Sequence, residues 1–483
     1  MDKLTDKSVL VIGLGVSGTA AAGLLLDRGA RVTAVDAGDT PALRATAERL
    51  RARGARVTLG ATAAPAGPFE FAVLSPGIAC DTPLLPRAAG GTIPVIGELE
   101  LGYQFASCLN IAITGTNGKT TTTELIERML TANQRRTVAA GNIGTPLCAV
   151  VDQTRELDFL TLEVSSFQLE TIRYFRPSVA VLLNITPDHL DRYAGMDEYR
   201  RAKARLFENQ QPFDWAIVQS QALAQLRALG LEPRSKLITF SADDSAADLY
   251  CDRGLLISRV PGWEGPLLDM QTCRLSGRHN AENLLAALGV ARALRLPLEP
   301  TLAALRTFAP APHRCERVAE ICGVIYVNDS KATNPDAVAR AIEAMPAGAG
   351  REPNVWLIAG GRDKGFEYHS LGPLLSRRVK GAFLLGETRE KLRAAWGLFT
   401  PCTLVDSLLE AVTKSAAHAV AGDVVLLSPA CSSFDMFRNY QHRGDVFREI
   451  VTGLAQTAAC GASPTATTAG GAVPGISGRE AGR

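Results

Sequence analysis

The chain has 483 residues, 46% of them apolar and 21% charged, with a formal net charge of +2. That length predicts roughly three domains, and the near-neutral charge excludes a general attraction to nucleic acid or to membrane surfaces. Ten cysteines are scattered without a Cys-x-x-Cys pair, as expected of free thiols in a reducing compartment.

No apolar run approaches the ~20 residues that span a bilayer. Residues 1–7 are polar and lead straight into a strand, with no signal-peptide pattern. The expectation is a cytoplasmic protein.

Residues 8–12 read as a strand, followed by Gly13-Leu14-Gly15-Val16-Ser17-Gly18, a helix over 19–28 and a strand over 31–35 ending at Asp36. A Gly-x-Gly-x-x-Gly turn with an acid about 20 residues on suits a diphosphate over the turn. A plain strand–helix turn, with Asp36 as a helix cap, stays open at this point. A strand over 71–74 runs into Ser75-Pro76-Gly77-Ile78. Ligands sit past strand carboxyl ends in open α/β sheets, although a simple Pro-Gly turn has the same sequence. The first domain is expected to cover 1–102.

Residues 111–114 form an apolar, β-branched strand, and 121–132 carry helical apolar spacing. Between them lies Gly115-Thr116-Asn117-Gly118-Lys119-Thr120-Thr121. Strand, glycine loop and helix start make a phosphate cradle, in which backbone N–H groups turn toward phosphate oxygens. Lys119 reaches a transferring phosphate, and the Thr120 hydroxyl suits Mg²⁺. The usual pattern has an earlier glycine where this chain has Ala112.

Strands over 137–140, 159–163, 179–185 and 215–218 alternate with helices, the pattern of a parallel sheet covered on both faces. Polar groups gather at their ends. Asn142 lies in a Gly-Asn-Ile-Gly loop. Glu163 closes a buried run and needs a partner, for which Mg²⁺ is suitable. His189 lies in a loop, as a metal ligand or as an ordinary satisfied histidine. A helix over 197–209 carries Lys203 among Arg200, Arg201 and Arg205, the composition of a solvated basic face. Residues 219–275 read as one helix, one strand and an irregular antiparallel segment. Asn280 and Asn283 share a face of the next helix and either read a base edge or cap it. The central domain is expected to cover 103–308.

The third domain, 309–455, opens with His313-Arg314, where Arg314 suits a phosphate. Strands over 324–327, 355–359 and 423–427 end in Asp329, Lys331 and Thr333, in Lys364, and in Ser433 and Phe434. Residues 456–483 are rich in Ala, Gly, Thr, Ser and Pro and are expected to be a disordered tail.

Gly-Thr-Asn-Gly-Lys-Thr (115–120), Asp-His-Leu-Asp-Arg-Tyr (188–193), His-Asn-Ala-Glu-Asn (279–283), Asn-Asp-Ser-Lys-Ala-Thr-Asn (328–334) and Ser-Pro-Ala-Cys-Ser-Ser-Phe-Asp (428–435) together resemble the Mur ligases, over residues 8 to about 452. These are ATP-dependent amide-forming enzymes of bacterial cell-wall precursor synthesis. Residues 163–170 and 434–444 are most similar to members that add D-glutamate. The Asp-Asn-Pro-Arg sequence of the diaminopimelate-adding members is absent.

The resemblance implies a three-domain α/β fold, with a Rossmann-like N-terminal domain, a central P-loop ATPase-type domain on a mainly parallel sheet, and a Rossmann-like C-terminal domain. It implies a monomer joining D-glutamate to UDP-N-acetylmuramoyl-L-alanine with ATP and two Mg²⁺ ions. It gives Thr120 and Glu163 to one metal, and His189 and a carbamylated Lys203 to the other. Lys119, His189 and Lys203 become catalytic. Asn280 and Asn283 go to adenine, Asp329 to ribose and Arg314 to phosphate, beside the 115–121 loop. Val16, Ser17, Asp36, Ser75, Gly77 and Asn142 would hold UDP. Lys331, Thr333, Lys364, Ser433, Phe434 and Tyr440 would hold D-glutamate. Ala37 and Gly38 offer no side-chain donors for uracil, and Cys315 replaces a frequent Phe.

Two rivals remain. A dinucleotide-dependent oxidoreductase leaves the Lys119 loop without a purpose. Another Mur-type or folylpolyglutamate-synthase-like ligase would share the chemistry with a different acceptor, but enzymes of the latter kind lack a UDP-holding first domain. A non-catalytic copy would have no need of Lys119, Glu163, His189 and Lys203 together.

Overall fold

Apolar runs covered by helices on both faces set the architecture, which is three α/β units in chain order, each on a mainly parallel sheet. The computed structural model describes residues 4–88, 91–190, 192–275, 277–309, 312–346 and 352–461.

The first unit contains β1 (Ser8–Ile12), α1 (Val16–Asp27), β2 (Arg31–Val35), α2 (Pro41–Ala52), β3 (Arg56–Thr58) and β4 (Phe71–Leu74). A short hairpin, β5 (Arg87–Ala88) and β6 (Gly91–Thr92), precedes β7 (Val95–Gly97). The sheet order is β3-β2-β1-β4-β7, all parallel. Helix α3 (Glu98–Phe105) runs through Gly102 into the second unit.

The second unit contains β8 (Leu109–Thr114), α4 (Lys119–Ala132), β9 (Thr137–Gly141), α5 (Leu147–Val150), β10 (Phe159–Glu163), α6 (Ser166–Leu169), β11 (Val179–Leu182) and α7 (Met196–Ala204). It continues through β12 (Trp215–Gln219), α8 (Ser220–Arg227), β13 (Lys236–Ser241), β14 (Leu249–Asp252), β15 (Leu255–Ser258), β16 (Gly265–Asp269), α9 (Arg278–Ala293) and α10 (Leu298–Thr307). The order is β16-β15-β14-β13-β12-β11-β8-β10-β9, antiparallel only at β14-β15-β16. Leu125, Ile126 and Met129 of α4 and Leu284, Leu285 and Leu288 of α9 fill one face. Leu169, Phe175, Tyr199, Leu223 and Leu226 fill the other.

The third unit contains β17 (Glu316–Ile321), β18 (Val324–Asn328), α11 (Pro335–Ala344), β19 (Val355–Gly360), α12 (Gly372–Arg378), β20 (Val379–Leu385), α13 (Arg389–Trp396), β21 (Cys402–Leu404), α14 (Leu408–His418), β22 (Val424–Leu427) and α15 (Tyr440–Gly461). Its order is β17-β18-β22-β19-β20-β21, with β17 antiparallel.

The structure corrects several sequence-based expectations. Strand β11 stops at Leu182 because the chain leaves the sheet to place Asn184 under the phosphate loop. The segment after 219 is more regular than expected, with β13 to β16 extending the central sheet. Helix α7 ends at Ala204 and continues as a 3₁₀ turn, Arg205–Phe207. Helix α15 runs to Gly461, anchored by buried Phe447 and Val451, so the expected tail begins inside a helix. Residues 462–483 lie outside the described residues. Among the described residues no helix is long and apolar enough to cross a membrane.

Candidate active site

The phosphate loop leaves β8 after Thr114 and enters α4 at Lys119, two residues before the apolar spacing predicts. Counted back from Gly118-Lys119-Thr120, the missing first glycine falls at Ile113 rather than Ala112, and Ile113 is buried inside the strand, paired with Glu163, where no loop exists. Gly118 takes φ +84° at the helix N-cap, and a Cβ there would lie 2.4 Å from Asn283 Oδ1. Both backbone and space therefore require glycine. Asn117 N–H donates to Asn184 Oδ1 at 2.9 Å, and Asn184 Nδ2 returns a bond to Asn117 O at 3.0 Å.

Lys119 folds across the loop. Its Nζ donates to Gly115 O at 3.0 Å and Thr116 O at 2.8 Å. Burial pushes its pKa down, opposed by Glu163 and Asp188 and reinforced by Arg314 and Lys364. The Thr120 hydroxyl donates to Glu163 Oε2 at 2.6 Å, and Asn142 Nδ2 donates to Glu163 Oε1 at 2.7 Å.

His189 adopts φ +56° and packs its ring 4.6 Å from that of Phe167. Burial lowers its pKa, which favours the neutral, metal-ligating imidazole. Among the described residues no three His, Cys, Asp or Glu side chains converge on one point. A hydroxyl and a carboxylate, as at Thr120 and Glu163, are the hard oxygen ligands that suit Mg²⁺, which keeps water and phosphate oxygens in its shell.

Lys203 departs from the solvated face that its basic neighbours suggest. It is 1% exposed, donates Nζ to Gly115 O at 2.8 Å and lies 4.6 Å from the Tyr199 ring centre. Burial, with Lys119 adding to it, drives its pKa well below the ordinary lysine value. Arg200 pairs with Asp197, and Arg205 with Glu208, on the outer side. Tyr199 escaped the sequence reading. Its hydroxyl lies 3.2 Å from Thr116 Oγ1. Its place four residues before Lys203 on one helix face was the available signal.

On the opposite wall, Asn283 Nδ2 donates to Asn280 Oδ1 at 3.1 Å, and Thr122 Oγ1 donates to Asn283 Oδ1 at 3.2 Å. The N-cap of α9 is Gly277, without a side-chain cap bond, so neither asparagine has the capping role. Asp329 accepts from Cys315 N at 3.1 Å and Ser428 Oγ at 3.0 Å, and burial raises its pKa to about 7. Lys331 Nζ lies 4.1 Å from the Tyr440 ring centre, and burial lowers its pKa to about 8. Lys364 Nζ lies 3.5 Å from Thr333 Oγ1. Ser433 is buried, whereas the adjacent Phe434 is exposed.

Arg443 was also missed. Fully buried, it donates to Ser330 O at 2.8 Å, Ser330 Oγ at 3.0 Å and Cys431 O at 3.2 Å. It ties the turn before Lys331 to the loop before Ser433. No local pattern marks it.

One cleft of ≈ 330 Å³ between the second and third units collects Thr116 to Thr121, Asn142, Glu163, His189, Asn280, Asn283, Arg314, Asp329, Lys331, Thr333 and Lys364. Gly115 and Lys203 stand behind its floor, and Ser433, Phe434 and Tyr440 do not line it.

The first unit's candidates form a separate group. Asp36 accepts Leu14 N–H at 2.7 Å and Gly38 N–H at 2.8 Å, so its carboxylate shapes the turn; the N-cap of α2 is Thr40. Ser75 Oγ donates to Gly13 O at 2.9 Å. Val16 and Gly77 are exposed and Ser17 is half-buried, whereas Asn142, of the second unit, stands apart from them in the cleft. Arg192 connects this group to the cleft. It donates to Pro76 O at 3.1 Å and Glu170 Oε2 at 2.6 Å, with its guanidinium 4.2 Å from the Phe167 ring centre.

Three family models match in chain order: the Mur ligase MurD-like N-terminal domain over residues 7–97, the Mur ligase middle domain over 113–291 and the Mur ligase glutamate ligase domain over 313–431. The UDP-N-acetylmuramoylalanine--D-glutamate ligase of Acidobacterium capsulatum is 41% identical over 457 residues, covering 93% of this chain and 97% of that one. Its counterpart from Nitratidesulfovibrio vulgaris is 43% identical, covering 92% and 96%. Among solved structures, the MurF ligase of Thermotoga maritima in complex with ADP superposes with a TM-score of 0.59 at 17% identity, covering 94% of this chain and all of that one, a likeness of fold. With such identity across nearly its whole described length, the chain belongs to the Mur ligase family.

Proposed function

We propose that the chain is an ATP-dependent ligase joining D-glutamate to the L-alanine carboxylate of UDP-N-acetylmuramoyl-L-alanine, with release of ADP and phosphate. The observation that carries this reading is the single cleft in which the phosphate loop of one unit faces Arg314, Lys331 and Lys364 of the next. The two relatives above carry the same activity in their names.

A carboxylate is a poor electrophile at neutral pH. Transfer of the γ-phosphoryl group to it gives an acyl phosphate with a good leaving group. The amine of D-glutamate then attacks the acyl carbon, and the tetrahedral intermediate collapses by losing phosphate and a proton. Bringing a carboxylate against a triphosphate is repulsive, and Lys119 supplies fixed positive charge at that point. Mg²⁺ on Thr120 and Glu163, with a second ion near His189, would add charge neutralisation where the phosphates meet.

Lys203 has the environment a carbamate requires. Burial disfavours its charged form, and the neutral amine is the form that attacks CO₂. The carbamate anion would then stand beside Lys119 and the second metal. Asn280 and Asn283 take adenine, Asp329 the ribose and Arg314 the phosphates. Lys331 and Lys364 match the two carboxylates of D-glutamate, with Thr333, Ser433, Phe434 and Tyr440 around them. Val16, Ser17, Asp36, Ser75, Gly77 and Asn142 hold the UDP moiety. The reading divides the chain into a UDP domain (1–102), an ATP domain (103–308) and an amino-acid domain (309–455), acting as a cytoplasmic monomer.

The test is phosphate release by purified protein with ATP, Mg²⁺ and UDP-N-acetylmuramoyl-L-alanine. Turnover is expected with D-glutamate and little with L-glutamate, L-alanine or meso-diaminopimelate. Full turnover after Lys119→Ala, or product formed without ATP consumption, would overturn the reading.

A further inference from the structure

The first turn of α11 crosses from the third unit to the second and makes a set of contacts that the proposed chemistry leaves unused. Asp336 Oδ2 accepts from three groups on different elements. The Asn117 side-chain amide of the phosphate loop donates to it. Thr186 Oγ1 donates at 3.0 Å, and Arg340 Nε donates at 3.0 Å from one turn further along α11. Arg340 Nη1 in turn lies 3.8 Å from Glu282 Oε2, a buried carboxylate of α9 that also accepts from Gln219 Nε2 at 3.1 Å. Two residues before Asp336, the helix N-cap Asn334 donates Nδ2 to Asp188 Oδ2 at 3.1 Å.

Charge alone argues against an acid here, since Asp336, which lines the neighbouring cavity with Thr186, Glu282 and Arg340, sits one hydrogen bond from the phosphate loop. A carboxylate beside a phosphate site is repulsive unless a cation offsets its charge. At Asp336 the Arg340 guanidinium offsets the charge, and two uncharged donors from the second unit share the same oxygen, Oδ2. The pattern is that of an internal clasp, whose donors are parted if the two units separate.

We propose that Asp336 is a positioning residue that clasps the third unit onto the phosphate loop. It holds Asn117 through its side chain and Thr186 through its hydroxyl, while Arg340 braces the clasp against Glu282. Closing the clasp brings Lys331 and Lys364 opposite Lys119. The proposal rests on the ligase reading only for its turnover readout; the closure itself is a property of the chain.

Two measurements on the full chain test it. Small-angle scattering of wild type, Asp336→Ala and Thr186→Val, with and without Mg-ADP, reads closure directly. A larger radius of gyration for both variants is expected, and radii equal to wild type in both conditions would overturn the clasp. The second is a double-mutant cycle in phosphate release. Asp336→Ala should raise KM for D-glutamate about tenfold with kcat changed less than about threefold, because the closed population falls while the saturated rate is kept. Adding Thr186→Val to Asp336→Ala should cost nothing further, since Asp336→Ala has already removed the bond that Thr186 makes. Fully additive losses would overturn the proposal. Thr186→Val removes one hydroxyl and serves alone if Asp336→Ala does not fold. A wild type inactive on D-glutamate would sink the ligase reading and leave the scattering comparison to judge the clasp.

Discussion

Lys203 Nζ donates to the carbonyl oxygen of Gly115 at 2.8 Å, joining a helix lysine to the first glycine of the phosphate loop 88 residues away. The bond places a buried amine under the site where phosphates are expected. Lys203→Ala should lower turnover at least about a hundredfold, as expected for a group acting on the reacting centre. Acetate, a small anion able to occupy the vacated space, should restore part of it. Phosphate-release assays with and without acetate check both outcomes; full activity in the unrescued variant defeats the carbamate role.

Lys364 faces the cleft with Thr333 as its close neighbour. If it binds an acceptor carboxylate, Lys364→Ala should raise KM for D-glutamate by about tenfold or more, the scale of one charge-assisted bond. KM for ATP should change much less. Equal effects on both constants would assign Lys364 to the nucleotide instead.

Arg192 joins the first unit to the cleft through Pro76 O, Glu170 and Phe167. Arg192→Ala frees the 75–78 turn and leaves Glu170 with the Tyr193 hydroxyl at 2.6 Å. The expected result is a KM for UDP-N-acetylmuramoyl-L-alanine raised about tenfold, with KM for D-glutamate nearly unchanged. Titration of the UDP substrate into the variant by calorimetry reads the same loss without catalysis.

Glu98 is buried at the start of α3, accepts Cys148 N–H at 2.6 Å through Oε1, and has no partner at Oε2 among the described residues. Burial raises its pKa from 4.5 to about 7. The folded state therefore holds a proton that the unfolded chain releases between those values. The contribution of Glu98 is neutral below pH 4.5 and becomes a penalty as pH rises through 7, on the order of 3 kcal/mol for the interval between 4.5 and 7. Glu98→Gln should flatten that part of the curve. Urea unfolding midpoints at pH 5 and pH 8 provide the check, and an unchanged slope in the variant counts against it.

The phosphate loop was legible because its chemistry is local, with glycine, lysine and threonine adjacent at a strand-to-helix junction. Glu163 was legible because an acid closing an apolar run needs a partner, and Thr120 and Asn142 meet it there. Lys203 was obscured by Arg200, Arg201 and Arg205, since composition does not say which helix face packs inward. Arg443 reaches Ser330 across 113 residues, and Asp336 reaches Asn117 across 219, so only the folded chain brings them together. Strand β21 went unread because three residues, Cys402–Leu404, are too few to show a period, and β20 because its first half, Val379-Lys380-Gly381, breaks the apolar run.

The cleft groups hang from the carboxyl ends of β8, β10, β18 and β19, and the amino ends of the same strands point away from it. The molecule thus has a working side and an idle side. Residues 232–234, which follow Leu231 and carry the exposed Glu232 and Arg234 into the amino end of β13, belong to the idle side. A guest sequence spliced there has room to grow without approaching the nucleotide, so fusion partners and labels are best carried on that connection.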